Sequence, residues 1–235
     1  MGVVVFHTVG NQLSRGATAY QCIKQEIITL RFAPGQQLTE AWVCALLQLG
    51  RTPVHHAFHR LSLEGLVQII PRKGIMVTPL SLDEVMNLIE VRCLNEPHAA
   101  RLAAQRATDE ELDELELMLE TTSIRTAPRD ADALVDFDRR FHEKIAVATR
   151  NAVLGPLLSM LYDRSLRFWY ISLSREGHID EVLSEHFEIF TSLRQRDGER
   201  AAAMMTVHIE SFRSTIARAI GTSTTLRNGS YFNLG

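Results

Sequence analysis

At 235 residues the chain is long enough for one large domain or two small ones with an ample core. Its content of 46% hydrophobic and 23% charged residues is that of an ordinary globular protein, and no apolar run approaches the roughly 18 to 20 residues of a membrane span. The formal net charge of −3 is split: residues 1–78 carry seven Lys/Arg against three acids, a balance of +4, and the remainder carries −7, so a basic head on an acidic body points to a polyanion as the head's partner.

The N-terminus, Met-Gly-Val-Val-Val-Phe-His, lacks a basic n-region and a small-residue cleavage site, so no signal peptide is expected. Cys22, Cys44 and Cys93 show no C-x-x-C spacing. They are read as packing residues of a protein in a reducing, cytoplasmic compartment.

Residues 1–15 lack usable periodicity and are expected to be a flexible arm. Residues 17–30 read as a helix with Ala19, Ile23, Ile27 and Leu30 on one face. Phe32-Ala-Pro-Gly-Gln-Gln-Leu38 reads as a turn, and Thr39 as the cap of a second helix with Val43, Leu46 and Leu47 inward. After Gln48-Leu-Gly50, the run Arg51-Thr52-Pro53 opens a third helix, with Thr52 as N-cap and Pro53 at the first helical position. That helix carries Val54, Ala57, Phe58, Leu61 and Leu63 to a stop at Glu64-Gly65. Residues 66–70 and 75–77, joined by Pro71-Arg-Lys-Gly74, predict a two-stranded hairpin with a basic tip. Three helices and such a hairpin make a winged helix-turn-helix over residues 16–79.

Beyond it, six helices are predicted over residues 80–221. Pro79-Leu-Ser81 caps the first, and Thr108-Asp-Glu-Glu111 is a capping box for the second, with Leu112, Leu115 and Leu119 inward. Ala127-Pro-Arg-Asp130 breaks that helix. The third contains Asp138 and His142 and ends near Arg150-Asn151; the others span about 156–173, 179–196 and 198–220. Residues 222–235 read as a flexible tail. The fold class is therefore mainly α: a winged head followed by an antiparallel all-helical bundle.

The third helix of the bundle holds the most informative stretch. Asp138 and His142 are four residues apart, one helical turn, beside an apolar stripe of Leu134, Phe137, Phe141 and Ile145. His186 and His208 each sit inside a later amphipathic pattern. One Asp and three His form a ligand set suited to zinc, nickel or manganese. Spacing alone does not bring them together. His98 and His178 lack such a context and read as surface or loop residues.

Four runs in the head, Pro34-Gly-Gln-Gln-Leu-Thr-Glu40, Arg51-Thr-Pro-Val54, Arg60-Leu-Ser-Leu-Glu-Gly-Leu-Val67 and Pro71-Arg-Lys-Gly74, resemble the DNA-binding domain of the GntR family of bacterial transcription regulators. Leu82-Asp-Glu-Val-Met-Asn-Leu-Ile-Glu-Val-Arg92, with Glu96 and Ala99-Ala-Arg-Leu-Ala-Ala104, resembles the opening of that family's FadR-like sensor domain, an all-helical bundle. The resemblance covers residues of about 17 to 220. It implies a homodimer that binds double-stranded operator DNA through Arg51, Thr52, His55, His56 and Arg60, with Arg72 and Lys73 on the wing. It also implies a divalent ion, zinc first and nickel or manganese next, held by Asp138, His142, His186 and His208. Open positions on that ion would accept the carboxylate of a small effector.

The chain departs from the family's common pattern at His55-His56, where most relatives carry Arg-Glu, and at Ala41, where they usually carry Arg. A neutral imidazole does not make the bidentate guanine contact of an Arg, which implies a different operator sequence or weaker affinity. Arg92 reads either as a clamp for an anionic effector or as an ion pair with Glu96. Asn95 stands where the family usually carries Leu. Arg164, Arg167, Trp169 and Tyr170 either line the same cavity or simply decorate an amphipathic helix. The leading expectation is a metal-dependent, ligand-responsive repressor. Its rivals are a metalloenzyme acting on a small organic acid and a sensor of the metal ion itself.

Overall fold

A computed structural model describes residues 14–125, 131–172 and 178–221. Most of the expected arm, the break at Ala127-Asp130 and the tail 222–235 lie outside the described residues, as do the side chains of Tyr170 and His178. The chain divides into two compact units, one of residues up to 27 with 31–78, the other of 28–30 with those from 79 onward.

The first unit contains α1 (Arg15–Ile28), β1 (Gln37–Leu38), α2 (Glu40–Leu47), α3 (Arg51–Leu63), β2 (Val67–Ile70) and β3 (Gly74–Val77). Ala19, Ile23 and Ile27 are buried on one face of α1 and meet Val43, Val54, Phe58 and Leu61 in a common core. Helix α1 ends two residues short of the predicted limit, and Leu30 follows with φ 60°, outside helical backbone. Thr39 caps α2 by accepting from the Trp42 N–H, as its position predicts.

Three expectations for this unit need correction. Gly50, not Thr52, is the N-cap of α3, with no side-chain cap. Pro53 therefore sits at the third helical position, which is tolerable because none of the first helical N–H groups has an intrahelical partner. Leu46 and Leu63, expected inward, are 50% and 87% exposed; Phe58 and Leu61 already fill the face that α3 turns to the core. The wing also gains a strand, because part of the run read as a turn pairs with the hairpin in the order β1-β3-β2. Gln37 lies opposite Met76 and Leu38 opposite Ile75, both antiparallel. Gly74 permits that pairing: its φ is +97°, and a Cβ there would lie 2.9 Å from the Leu38 carbonyl oxygen.

The second unit contains α4 (Leu82–Arg106), α5 (Asp109–Arg125), α6 (Ala131–Ala148), α7 (Leu154–Ser172), α8 (His178–Arg194) and α9 (Gly198–Gly221). Ser81 caps α4 by accepting from the Glu84 N–H. The capping box of α5 forms in both directions: Thr108 N–H donates to Glu111, and Glu111 N–H donates to the Thr108 hydroxyl. Leu112, Leu115 and Leu119 are buried as expected. The long α4 packs against α6, α7, α8 and α9. Phe141, Phe168, Trp169, Ile189 and Ile209 belong to the apolar core that these helices share. Among the described residues, no helix is long and apolar enough to cross a membrane.

Candidate metal centre

Each ligand candidate is delivered to the interior by the apolar stripe of its own helix. On α6, Asp138 and His142 follow Phe137 and Phe141; on α8, His186 lies between Val182 and Ile189; on α9, His208 lies between Met205 and Ile209. A stripe wide enough to bury those neighbours carries the adjacent polar positions inward with it. All four residues are buried, and one ligand atom from each lies within 4.8 Å of every other. The expected set thus converges in space, from three separate helices.

The partners of the outer nitrogens assign a tautomer to each imidazole. His186 Nδ1 lies 2.7 Å from the Val182 carbonyl oxygen, which can only accept. His142 Nδ1 lies 2.9 Å from Glu96 Oε2, and His208 Nδ1 lies 2.8 Å from Glu185 Oε2. Each partner calls for a proton on Nδ1, so each Nε2 turns a lone pair inward. There, His142 Nε2 is 3.2 Å from His208 Nε2, and Asp138 Oδ1 is 3.0 Å from His186 Nε2, 3.9 Å from His142 Nε2 and 4.0 Å from His208 Nε2.

Despite their 3.0 Å separation, Asp138 Oδ1 and His186 Nε2 make no hydrogen bond of acceptable geometry, and both are buried. Three nitrogen lone pairs and a carboxylate oxygen aimed at one point repel each other unless a cation lies between them. Bonds of about 2.0 to 2.2 Å to zinc place neighbouring ligand atoms roughly 3 to 4 Å apart, close to the separations found. The donor set therefore fits a borderline divalent ion, and the outer hydrogen bonds are of the kind that orient metal-bound imidazoles.

The electrostatics agree. Burial pushes the His208 imidazole well below its ordinary value, and His186 and His142 beside it push in the same direction, so it stays neutral and able to ligate. Aromatic rings enclose the cluster: Phe141 meets His186 edge-on at 4.6 Å between centroids, and Tyr162 stacks on His142 at 4.9 Å.

Three participants escaped the sequence reading. The Tyr162 hydroxyl donates to Asp138 Oδ2. The sequence assigns no role to Glu185, and it offers Glu96 only as a partner for Arg92. None has a spacing signal: Tyr162 is 24 residues from Asp138, and Glu96 is on a different helix from His142.

Arg92 does pair with Glu96, through Nε to Oε1 and through Nη2 to Oε2 at 3.2 Å, with both residues buried. Burial disfavours both charges; Arg92 and then His142 nevertheless hold the Glu96 carboxyl far below its ordinary value. Arg92 Nη1 has no hydrogen-bond partner, and its guanidinium carbon lies 5.4 Å from the Tyr162 ring centroid. Arg164 donates to Glu84 at 2.9 Å, and its buried Nε has no partner. Arg167 is fully buried and also reaches Glu84, at 3.3 Å. His98 is exposed on α4.

In the first unit, Arg51, Thr52, His55 and His56 are exposed at the start of α3, and Arg72 and Lys73 are exposed at the tip between β2 and β3. Arg60 is less available, because it donates to Glu64 at 3.1 Å and lies 3.6 Å from the Tyr20 ring centroid.

Over residues 87–211 the chain matches the family model of the FCD domain, and over residues 15–77 that of the bacterial regulatory proteins, gntR family. It is 27% identical over 197 residues to the HTH-type transcriptional repressor RspR of Escherichia coli (strain K12), covering 84% of this chain and 86% of that one. It is 28% identical over 201 residues to the galactonate operon transcriptional repressor of the same strain, covering 75% and 86%. The solved structure of E. coli McbR/YncC shares the fold at 17% identity, with a TM-score of 0.79 over 88% of this chain and 99% of that chain.

Proposed function

Because this chain belongs to the gntR family of bacterial regulatory proteins, carries an FCD domain and is a transcription regulator rather than an enzyme, we propose how its two units divide the work. The first unit binds operator DNA as half of a homodimer in the cytoplasm. In the second, Asp138, His142, His186 and His208 would hold a divalent ion, whose Lewis acidity would anchor the carboxylate of a small metabolite that releases the repressor. Zinc suits the four donors best, with nickel or manganese next.

The observation that carries this reading is the convergence of four lone-pair donors, with their outer nitrogens already held by Glu96, Val182 and Glu185. A bound ion of this kind acts as a Lewis acid and gathers oxygen ligands at its open positions. Beside it, Arg92 offers a buried guanidinium N–H without a partner, suited to the second oxygen of a carboxylate; Arg164 offers another. That one relative is named a galactonate operon repressor supports an acid as the effector class. The homodimer follows from the two-fold symmetry of palindromic operators, since a single small winged unit makes too few contacts alone.

A thermal-shift screen of zinc-loaded protein against sugar acids, hydroxy acids and fatty acids tests the sensing role. One class is expected to raise the melting temperature of wild type and to leave His186→Ala unchanged. Operator binding that follows added metal but no acid would instead make the ion itself the effector.

For DNA, Arg51 and Thr52 at the start of α3 would meet base edges, with His55 and His56 one turn on and Arg60 beyond them, and Arg72 and Lys73 would meet phosphates; their exposure supports this assignment. Arg51→Ala is expected to cost about 1 to 3 kcal/mol on the specific site, whereas Lys73→Ala weakens all DNA alike and lowers the salt slope by about one. Unchanged affinity of both variants for the gene's own upstream region would remove the first unit as the reader.

A further inference from the structure

Helix α3 carries three histidines within five residues, and the geometry of two of them has a use beyond DNA contact. His55 and His59 are four residues apart, on one face of the helix and exposed. Their ring centroids are 4.6 Å apart with the planes at 68°. Glu40, at the first position of α2, places Oε1 2.7 Å from His55 Nδ1. A carboxylate in that position calls for a proton on Nδ1, which leaves His55 Nε2 as a bare lone pair: the carboxylate–histidine arrangement that makes an imidazole a better metal donor.

We propose that His55 and His59 form a second transition-metal site, an exposed two-imidazole chelate oriented by Glu40. Two metal–nitrogen bonds of about 2.0 to 2.1 Å set adjacent nitrogens roughly 3 Å apart, a spacing that rings at this separation reach by side-chain rotation alone. Water completes the coordination, since the face is open. Imidazole donors select nickel, copper or zinc over magnesium and calcium. Glu40 also supplies negative charge beside the ion, and Arg60, the residue after His59, is engaged by Glu64 and Tyr20. His56 is not a member of the chelate. It follows His55 directly, so it points about 100° away around the helix, and its ring centroid is 5.9 Å from that of His55.

This site shares no residue with the centre in the second unit, so either can fail alone. It has a consequence for the proposed DNA contact: an ion on the exposed face of α3 occupies the surface that would enter the groove.

Calorimetric titration of full-length protein with nickel alone provides the test. Wild type is expected to bind one equivalent per chain more than His55→Gln/His59→Gln, and His56→Gln is expected to match wild type. All three substitutions are on exposed side chains, and equal melting temperatures would confirm intact folding. In wild type, paramagnetic nickel should also broaden the ring resonances of His55 and His59 before those of His56. Equal nickel stoichiometry in wild type and the double variant, or loss of the extra equivalent in His56→Gln, would overturn the proposal. If wild type stripped of metal by a chelator binds a single equivalent and the stripped double variant none, the α3 site stands and the centre in the second unit is the reading that fails.

Discussion

Chelation of the divalent ion is expected to lower the melting temperature of the purified protein on the order of 10 °C, and to do so without any change in covalent structure. An ion held by Asp138, His142, His186 and His208 would join α6, α8 and α9 at one buried point, a site that forms only when those helices pack. Binding to the folded state alone contributes RT ln(1 + [L]/Kd), about 4 kcal/mol at a thousandfold excess over Kd; for a domain of this size each kcal/mol moves the midpoint by about 2 to 4 °C. Without the ion, three imidazole lone pairs and the Asp138 carboxylate face one another at distances as short as 3.0 Å, which adds to the loss. Metal content after incubation with zinc, nickel or manganese decides the matter. Wild type holding no more divalent metal than Asp138→Ala/His142→Ala would falsify the centre, whatever the melting curves show.

Glu96→Ala should be the most damaging single substitution beside the centre, because one carboxylate serves two buried groups. Arg92 is 1% exposed and depends on Glu96 for its counter-charge, and His142 depends on Glu96 to hold its Nδ1 proton. Removing one partner of a buried ion pair leaves an uncompensated charge, at about 3 to 5 kcal/mol, a large part of a typical stability. Losing the hydrogen bond that orients a ligating imidazole costs a further 10- to 100-fold in metal affinity. Glu96→Gln separates the two effects. Its amide oxygen still accepts from His142 Nδ1, so it should retain more metal affinity than the alanine variant while remaining destabilised. Were Gln and Ala equally poor in metal binding yet both as stable as wild type, neither role assigned to Glu96 would survive.

Much of the fold was legible because its determinants are local. The capping box at Thr108 and Glu111, the Thr39 and Ser81 caps, and the apolar periodicity of α6, α8 and α9 depend on backbone geometry within a few residues, which the order of side chains states directly. The pairing of Asp138 with His142 is of the same kind, since one turn of helix brings them together whatever surrounds it. So is the pairing of Arg92 with Glu96. Resemblance to a known family added that His186 and His208 belong with Asp138 and His142.

Tertiary packing decided the rest. It brought His186 and His208 from α8 and α9 to within 4.8 Å of the α6 pair, and it set Glu96 from α4, Tyr162 from α7 and Glu185 from α8 around them. It also turned Leu46 and Leu63 outward and joined the two residues of β1 to β3, and it put Glu40 against His55. The physical reason is the same in each case. Local spacing fixes which side chains share a face, but which face becomes interior, and which distant donors meet there, follows from how whole helices pack against one another.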